Sequence, residues 1–481
     1  MATKKDLVEA YSFSRRRLVT AFVSGAPGGR EVEPARPGRT IVGGLALAVL
    51  LGAGAAIAGV FSPTAPNDWK KAGLIISKDT GSAYVIIDES KDPELRPVIN
   101  STSAKLILGD KATPTLIAQD TIDDQRIGDD IGILGAPASV PTPSLLIDSG
   151  WTACTAADAG IKVSIAVEPD VTAVPQTGVT VSNGGDYFVV LPTGDNRSPG
   201  TDDPGAYVYP VPPQGTGGSQ TDNLLSALDV QTTRNAIPVS REWINLFPTG
   251  APLDWSSFEI DGFGTTPAYA AEDDTGVLKG KKVGDLLVAG KEKLLLTDDG
   301  PRKLSAFAAL VYGNVIAPDG AVVAATPVEA PPQVFRETEE KDAATHWPAV
   351  APTQEPIDEP CAQLTARSGK APVAQLVAPG PTSGGADVPA AKKVPVVAAG
   401  RGAYVLSGGW SDTDQGSPFV VDAKGRANPL VGDGAAALLG YGDYPAAVVP
   451  DTWVKLFACG VNLSRDAALS PPGEPDDSRC A

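Results

Sequence analysis

The side chains in this chain best suited to covalent chemistry are four cysteines, Cys154, Cys361, Cys459 and Cys480, and a single histidine, His346. An even number of cysteines in an exported region reads as two disulfides. Three connectivities are open. Joining Cys154 to Cys361 and Cys459 to Cys480 is favoured, because the second pair closes a loop of 20 intervening residues and ties down a Pro- and Asp-rich tail. In the chain-entropy picture that closure contributes about 3 kcal/mol, and the long-range one about 5 kcal/mol. A zinc set is disfavoured: there is no C-x-x-C pair, and His346 sits in a Pro-rich stretch far in sequence from every cysteine.

Other catalytic chemistries fail at their first requirement. Nucleotide hydrolysis needs a phosphate cradle, yet no G-x-x-x-x-G-K-[ST] occurs, and the nearest strings, residues 276–282 and 368–370, lack a glycine at the right distance. A serine hydrolase needs a histidine base, and His346 is followed directly by Trp347 and Pro348. Paired carboxylates carry no specificity among 57 acidic residues, which supply close pairs by accident. The chain is therefore not read as an enzyme, and no catalytic residue, cofactor or metal is expected. A net charge of −18 also argues against nucleic-acid binding, which needs a basic surface to replace phosphate counterions.

What the sequence does specify is a set of positioning elements. Residues 41–61 contain no charged side chain and would span about 31 Å as a helix, the thickness of a hydrocarbon core. Residues 1–40 carry eight of the 39 basic side chains and four of the 57 acidic ones, so this end is expected in the cytoplasm and the acidic bulk outside. A cleaved secretion signal is the alternative, with Ala56, Ile57 and Ala58 as its A-x-A site. That reading is weaker, because some 40 residues precede a 21-residue apolar core. Gly44, Ala48, Gly52 and Ala56 recur every four residues, a face of small side chains on which another helix can pack closely. Ahead of the anchor, YSFSRRRLVTAF (residues 11–22) reads as a basic amphipathic helix, with Leu18 and Phe22 on one side and Arg15, Arg16 and Arg17 supplying charge.

Beyond the anchor, 52 glycines and 44 prolines indicate short strands and many turns. An internal repeat stands out. VSREWINLFPTGAPL (residues 239–253) aligns without a gap on VPDTWVKLFACGVNL (residues 449–463), with Trp243/Trp453, Leu246/Leu456, Phe247/Phe457 and Gly250/Gly460 among its six identities. Trp with Leu and Phe three and four residues on forms one apolar face of a short helix, and the glycine is expected to be its left-handed stop. Three further segments, residues 84–109, 295–313 and 419–442, each read as a β-hairpin followed by a helix. With a degenerate copy over residues 187–228, about four modules are expected. Between them, residues 149–167 and 359–378 each place a cysteine just before a strand-like run, so a disulfide can staple two segments of one central β domain.

Taken together, the YSFSRRRLVTAF arm, GILGAP (residues 132–137), W-x-x-C at Trp151 to Cys154, the segment at Cys361 and the final V-P-x-x-W-x-x-L-F-x-x-G-x-x-L resemble the EccB family, the single-pass membrane component of actinobacterial type VII (ESX) secretion. The resemblance implies an α+β fold, with a single N-terminal transmembrane helix and an elongated periplasmic part in which about four β-hairpin/helix repeat modules flank a central β domain. It also implies a plasma-membrane location, self-association in a large oligomer, and partnership with the EccC motor ATPase, EccD, EccE and a mycosin protease. The expected organisation is a basic cytoplasmic arm (1–40), the transmembrane helix (41–61), module 1 (67–112), the central domain in two parts (113–185 and 331–398, the second with a Pro-rich linker), module 2 (186–255), module 3 (256–330), module 4 (399–465) and a tail (466–481). The function implied is a structural subunit linking a cytoplasmic motor to the periplasmic side. The competing reading from the residues alone is a membrane-anchored cell-wall-binding or cell-wall-hydrolysing protein.

Overall fold

The computed structural model describes residues 4–24, 66, 68–90, 92–197, 204–212, 218–331, 345–353, 357–476 and 478. The chain divides into two compact units, Met1–Pro66 and Asn67–Ala481. In the first, helix α1 (Lys4–Ser24) begins well before the expected residue 11, because the preceding KKDLVEA favours helix throughout and Asp6 sits in its first turn. Arg15, Arg16 and Arg17 lie on it, exposed. The apolar run 41–61, with Gly44, Ala48, Gly52 and Ala56, lies outside the described residues. Among those described, no helix is long and apolar enough to cross a membrane.

Among its described residues, the second unit is a mixed α+β assembly of five sheets. Its first sheet holds β1 (Gly73–Ser77), β2 (Ala83–Ile86) and β3 (Leu95–Pro97) as an antiparallel meander. Helix α2 (Ser101–Leu108) then returns the chain to β4 (Pro114–Ile117), which pairs parallel with β1. Asn100 caps α2 by accepting from the Ser103 amide at 2.8 Å, and Gly109 ends it at φ 57°. The expected boundary at residue 112 therefore falls inside this sheet. A hairpin-and-helix pattern does not reveal a fourth strand whose partner lies before the hairpin. After the short helix α3 (Gln119–Asp123) come three strands of the central sheet, β5 (Trp151–Cys154), β6 (Ile161–Ile165) and β7 (Val171–Ala173).

The second sheet repeats the topology with β8 (Val179–Asn183), β9 (Asp186–Arg197), β10 (Pro204–Val211), helix α4 (Gly218–Ala227) and β11 (Ile237–Pro238), after which comes the short helix α5 (Arg241–Ile244). So does the third, with β12 (Leu286–Ala289), β13 (Glu292–Leu296), β14 (Pro301–Lys303), helix α6 (Ala306–Tyr312) and β15 (Ala325–Val328). The chain then re-enters the central sheet as β16 (Cys361–Arg367), β17 (Lys370–Pro379) and β18 (Lys393–Val397), giving the order β18-β6-β5-β16-β17-β7. The fourth sheet holds β19 (Ala403–Gly408), β20 (Ser417–Val421), β21 (Arg426–Pro429), helix α7 (Ala435–Leu438) and β22 (Ala447–Pro450). Helix α8 (Asp451–Val454) and a fifth strand, β23 (Ala458–Cys459) parallel to β21, come next, and helix α9 (Arg465–Leu469) packs on α2. In all four sheets other than the central one the meander runs strand three, two, one, and the fourth strand lies parallel beside the first.

Three hydrophobic cores join the sheets. One gathers the central sheet with the second and fourth, another the second with the third, and another the first with the fourth. A strand's side chains alternate between faces, so a strand covered on both sides must be apolar throughout. In β9, Phe188 and Val190 face the central core while Val189 and Leu191 face the third sheet. In β20, Phe419 and Val421 face the central core and Val420 the first sheet.

Candidate functional site

The two copies of the tryptophan repeat meet at the central core. Each comes after a fourth strand: β11 leads into α5, whose cap Ser240 accepts from the Trp243 amide at 3.3 Å, and β22 leads into α8. Trp151, Trp243 and Trp453 are fully buried. A buried indole N–H needs an acceptor, and each finds one that ties a different pair of segments. Trp453 Nε1 donates to the Leu246 carbonyl in the other repeat at 3.1 Å. Trp243 Nε1 donates to Ala153 of β5 at 3.0 Å, and Trp151 Nε1 to Ile147 at 3.0 Å. Phe457 of the second repeat meets Trp151 edge-on at 5.3 Å, and Phe247 meets Trp243 at 5.2 Å.

The shared glycine is not the left-handed stop that the sequence suggests. Neither Gly250 nor Gly460 has a positive φ. Each donates its amide to the third strand of its sheet, Gly250 to Val208 at 3.0 Å and Gly460 to Ala427 at 2.8 Å. A Cβ at Gly250 would lie 2.2 Å from the Tyr209 ring, and one at Gly460 would lie 2.1 Å from Asn428 Oδ1. Close approach, not backbone handedness, demands glycine here.

Beside Ala153, Cys154 and Cys361 face one another across β5 and β16 and are joined by a disulfide, their Cα atoms 4.0 Å apart. The Thr155 amide donates to the Pro360 carbonyl, which makes the cysteines a non-hydrogen-bonded pair, the register in which cross-strand side chains approach most closely. Both are fully buried with Val377. The loop between β17 and β18 lies over them. Glu359 Oε2 accepts from the Gly385 and Ala386 amides at 3.0 and 3.3 Å, and Gly385 packs directly against the Cys154 carbonyl. Cys459 is exposed and also disulfide-bonded, whereas Cys480 lies outside the described residues. The Asn462 amide donates to the Asp476 carbonyl at 2.7 Å and its side chain to the Asp476 carboxylate at 2.8 Å, tying the tail to the repeat.

His346 has a positive φ and stacks on Tyr207, with ring centroids 4.6 Å apart, and its carbonyl accepts from Tyr209 Oη. A nearby cavity of about 260 Å³ is lined by Phe258, Trp347, Arg302, Glu259 and Ser256. Its polar groups serve the fold: Arg302 donates to the Phe258 carbonyl at 2.9 Å and Ser256 to Asp254 at 2.5 Å. No cluster of three or more potential metal ligands occurs among the described residues.

Three polar fixtures escape the sequence reading. Buried Asn428 accepts from the Val461 amide at 3.2 Å and donates to the Arg426 carbonyl at 3.1 Å. Tyr441 Oη donates to the Pro141 carbonyl at 2.6 Å. Tyr444 Oη donates to Asp148 at 3.3 Å; burial pushes the Asp148 carboxyl above the usual aspartate range, and burial beside that carboxylate pushes Tyr444 to about 12. Two Phe-Val-Val strings, residues 188–190 and 419–421, do signal the doubly covered sheets in the sequence.

A family model described as "Type VII secretion system ESX-1, transport TM domain B" matches residues 1–472. The ESX-1 secretion system ATPase EccB1 of Mycobacterium tuberculosis is 27% identical over 312 residues, covering 62% of this chain and 57% of the relative. The chain thus matches little more than half the length of that relative. The ESX-2 secretion system ATPase EccB2 of the same species is 26% identical over 442 residues, 83% of this chain and 81% of the relative. Among solved structures, an EccB3 dimer from the ESX-3 core complex has a TM-score of 0.61 at 21% identity, covering 83% of this chain and 100% of that one. A chain of an intact ESX-5 inner membrane complex has a TM-score of 0.59 at 20% identity, covering 98% of this chain and 96% of that one. At these identities the structural likeness shows the fold.

Proposed function

The chain belongs to the EccB family of type VII secretion components, and from that premise we propose that it is a structural subunit of a secretion complex in the plasma membrane, linking a cytoplasmic motor to the periplasmic side. The observation that carries this reading is the family match across residues 1–472, which takes in the basic arm, the apolar run and all five sheets. On this reading residues 41–61 are a single anchor, the arm is cytoplasmic, and the four sheets of shared strand order are repeat modules around a central β domain in the periplasm. Gly44, Ala48, Gly52 and Ala56 form the packing face of the anchor, and Arg15, Arg16 and Arg17 belong to the cytoplasmic contact. Cys480 is the partner of Cys459.

The EccC motor ATPase, EccD, EccE and a mycosin protease are the proposed partners, and a second copy of the chain is another, in keeping with the EccB3 dimer. Although relatives carry "ATPase" in their names, the sequence lacks a phosphate cradle, and the residues of its most distinctive motif are committed to internal packing. The proposed role is accordingly mechanical and not catalytic. Purification in mild detergent tests it: a megadalton assembly containing other membrane proteins is expected. A lone chain retained on isolated peptidoglycan would overturn the reading in favour of a cell-wall protein.

A further inference from the structure

Helix α1 presents an exposed apolar stripe. At about 100° per residue, Leu7, Tyr11, Leu18 and Phe22 fall within an arc of about 60°. They are 70%, 73%, 68% and 90% exposed. Val8 and Val19, also exposed, lie on one side of the stripe beyond Arg15, Lys4 shares the bearing of Phe22 at the start of the helix, and Phe13, 64% exposed, lies on the opposite face. The helix carries five basic residues, Lys4, Lys5, Arg15, Arg16 and Arg17, against Asp6 and Glu9. Arg15 and Arg17 lie on opposite flanks of the stripe, so their guanidinium groups can extend sideways at one level while the stripe faces inward.

We infer that α1 lies flat on an anionic lipid surface, its stripe seated among the acyl chains and its arginines among the headgroups. The inference rests on the cytoplasmic-arm reading above. Low net hydrophobicity, aromatic and leucine side chains on one face and arginines beside it are the features of an interfacial helix. Charge complementarity selects an anionic leaflet, where each basic side chain near the surface adds to binding. Tethering keeps the helix there. Sixteen residues separate Ser24 from the apolar run at residue 41, a reach of at most about 58 Å even when fully extended. Between Tyr11 and Leu18 no side chain falls in the arc, and Ser14 and Arg15 lie about 20° outside its two edges, an interruption that mobile acyl chains and headgroups accommodate more readily than a preformed protein groove does.

Because no free cysteine occurs among the described residues, a Leu18→Cys variant of the full chain can be labelled at one site with an environment-sensitive fluorophore. In vesicles of phosphatidylcholine with 30% phosphatidylglycerol, the label should shift to the blue and resist an aqueous quencher. In pure phosphatidylcholine the protection should fall at least several-fold. Changing Arg15, Arg16 and Arg17 together to Gln should weaken partition about 100-fold. Equal quenching in both lipid mixtures overturns the inference. So does a label shielded only when other membrane subunits are present, which assigns the stripe to a protein partner. Alkaline carbonate extraction reads the anchor separately: a chain released by carbonate whose label still shifts on added anionic vesicles refutes the anchor and supports the lipid-binding arm.

Discussion

The second and fourth sheets differ from the first and third in the element appended to their fourth strand. Strand β22 is buried at every residue, and β11 and β22 both run into a tryptophan helix seated on the central core. All four fourth strands end their sheets, but β4 and β15 carry mostly exposed or half-exposed side chains, and among the described residues neither runs into such a helix. One strand order thus serves two purposes. Where a tryptophan helix is appended, a sheet becomes an inner layer covered on both faces; where it is missing, the sheet remains an outer cap with a solvated edge. Proline blunts those edges, at Pro114 in β4 and Pro327 in β15, since it offers no N–H to an incoming strand.

The largest effect expected from breaking this difference is at the tryptophans. Trp453→Ala or Trp243→Ala should cost about 3–5 kcal/mol, through a cavity in the core that joins three sheets. Trp453→Phe should cost about 1–3 kcal/mol, because the Leu246 carbonyl loses its buried donor. Leu116→Ala on the outer edge, 55% exposed, should change stability by less than about 0.5 kcal/mol. Urea titrations of these variants check the ranking, and an outer-edge loss equal to the inner one would remove the distinction.

Next in size is the staple of the central sheet. Changing Cys154 and Cys361 together to Ala should lower stability by about 2–5 kcal/mol, measured by thermal melting. Non-reducing peptide mapping of the parent should return the Cys154–Cys361 peptide. Below that stand the repeat glycines. Gly250→Ala forces a methyl against Tyr209, and Gly460→Ala forces one against Asn428, each an overpacking of about 1–3 kcal/mol. Gly473→Ala, with no atom within 4 Å of its added Cβ, should be close to neutral.

The repeat, the hairpins and the cysteine pair are legible because each leaves a local or periodic mark. Trp, Leu and Phe at helical spacing, β-branched runs around acidic turns, and a cysteine near each of two strand-like runs can all be read without knowing the fold, although the cysteines lie in strands and not before them: Cys154 ends β5 and Cys361 opens β16. The fourth strands are not legible. The partner of β4 is β1, about forty residues earlier and across a helix, and residues 114–117 carry no pattern of their own that names it. Gly250 and Gly460 are visible as glycines, but the sequence suggests the wrong cause for them, since a ring or an amide pressing on a backbone comes from another segment. Glu359 is invisible for the same reason: its amide partners at residues 385 and 386 are in a loop that only the closed sheet brings over the disulfide.

The smallest expected effect probes the junction between the first and fourth sheets, where polar groups join apolar packing. Tyr404 stacks on Tyr441 at 4.8 Å, and Tyr444 donates to Asp148 nearby. Burial raises the Asp148 carboxyl above its ordinary value near 3.8, so the folded state holds a proton there more tightly than the unfolded chain does. The stability linked to that proton is fully present below the unfolded value and is lost as pH rises through the folded one. Above the folded value the protein carries an ionised, partly desolvated carboxylate. Asp148→Asn removes the charge and keeps an acceptor for Tyr444, so it should raise the melting temperature slightly at pH 7 and leave it unchanged near pH 3. Melting curves of parent and variant across pH 3 to 8 make the comparison. A variant less stable than the parent at pH 7 would mean that the charged hydrogen bond outweighs the burial, and that this junction is held by electrostatics where the tryptophan core is held by packing.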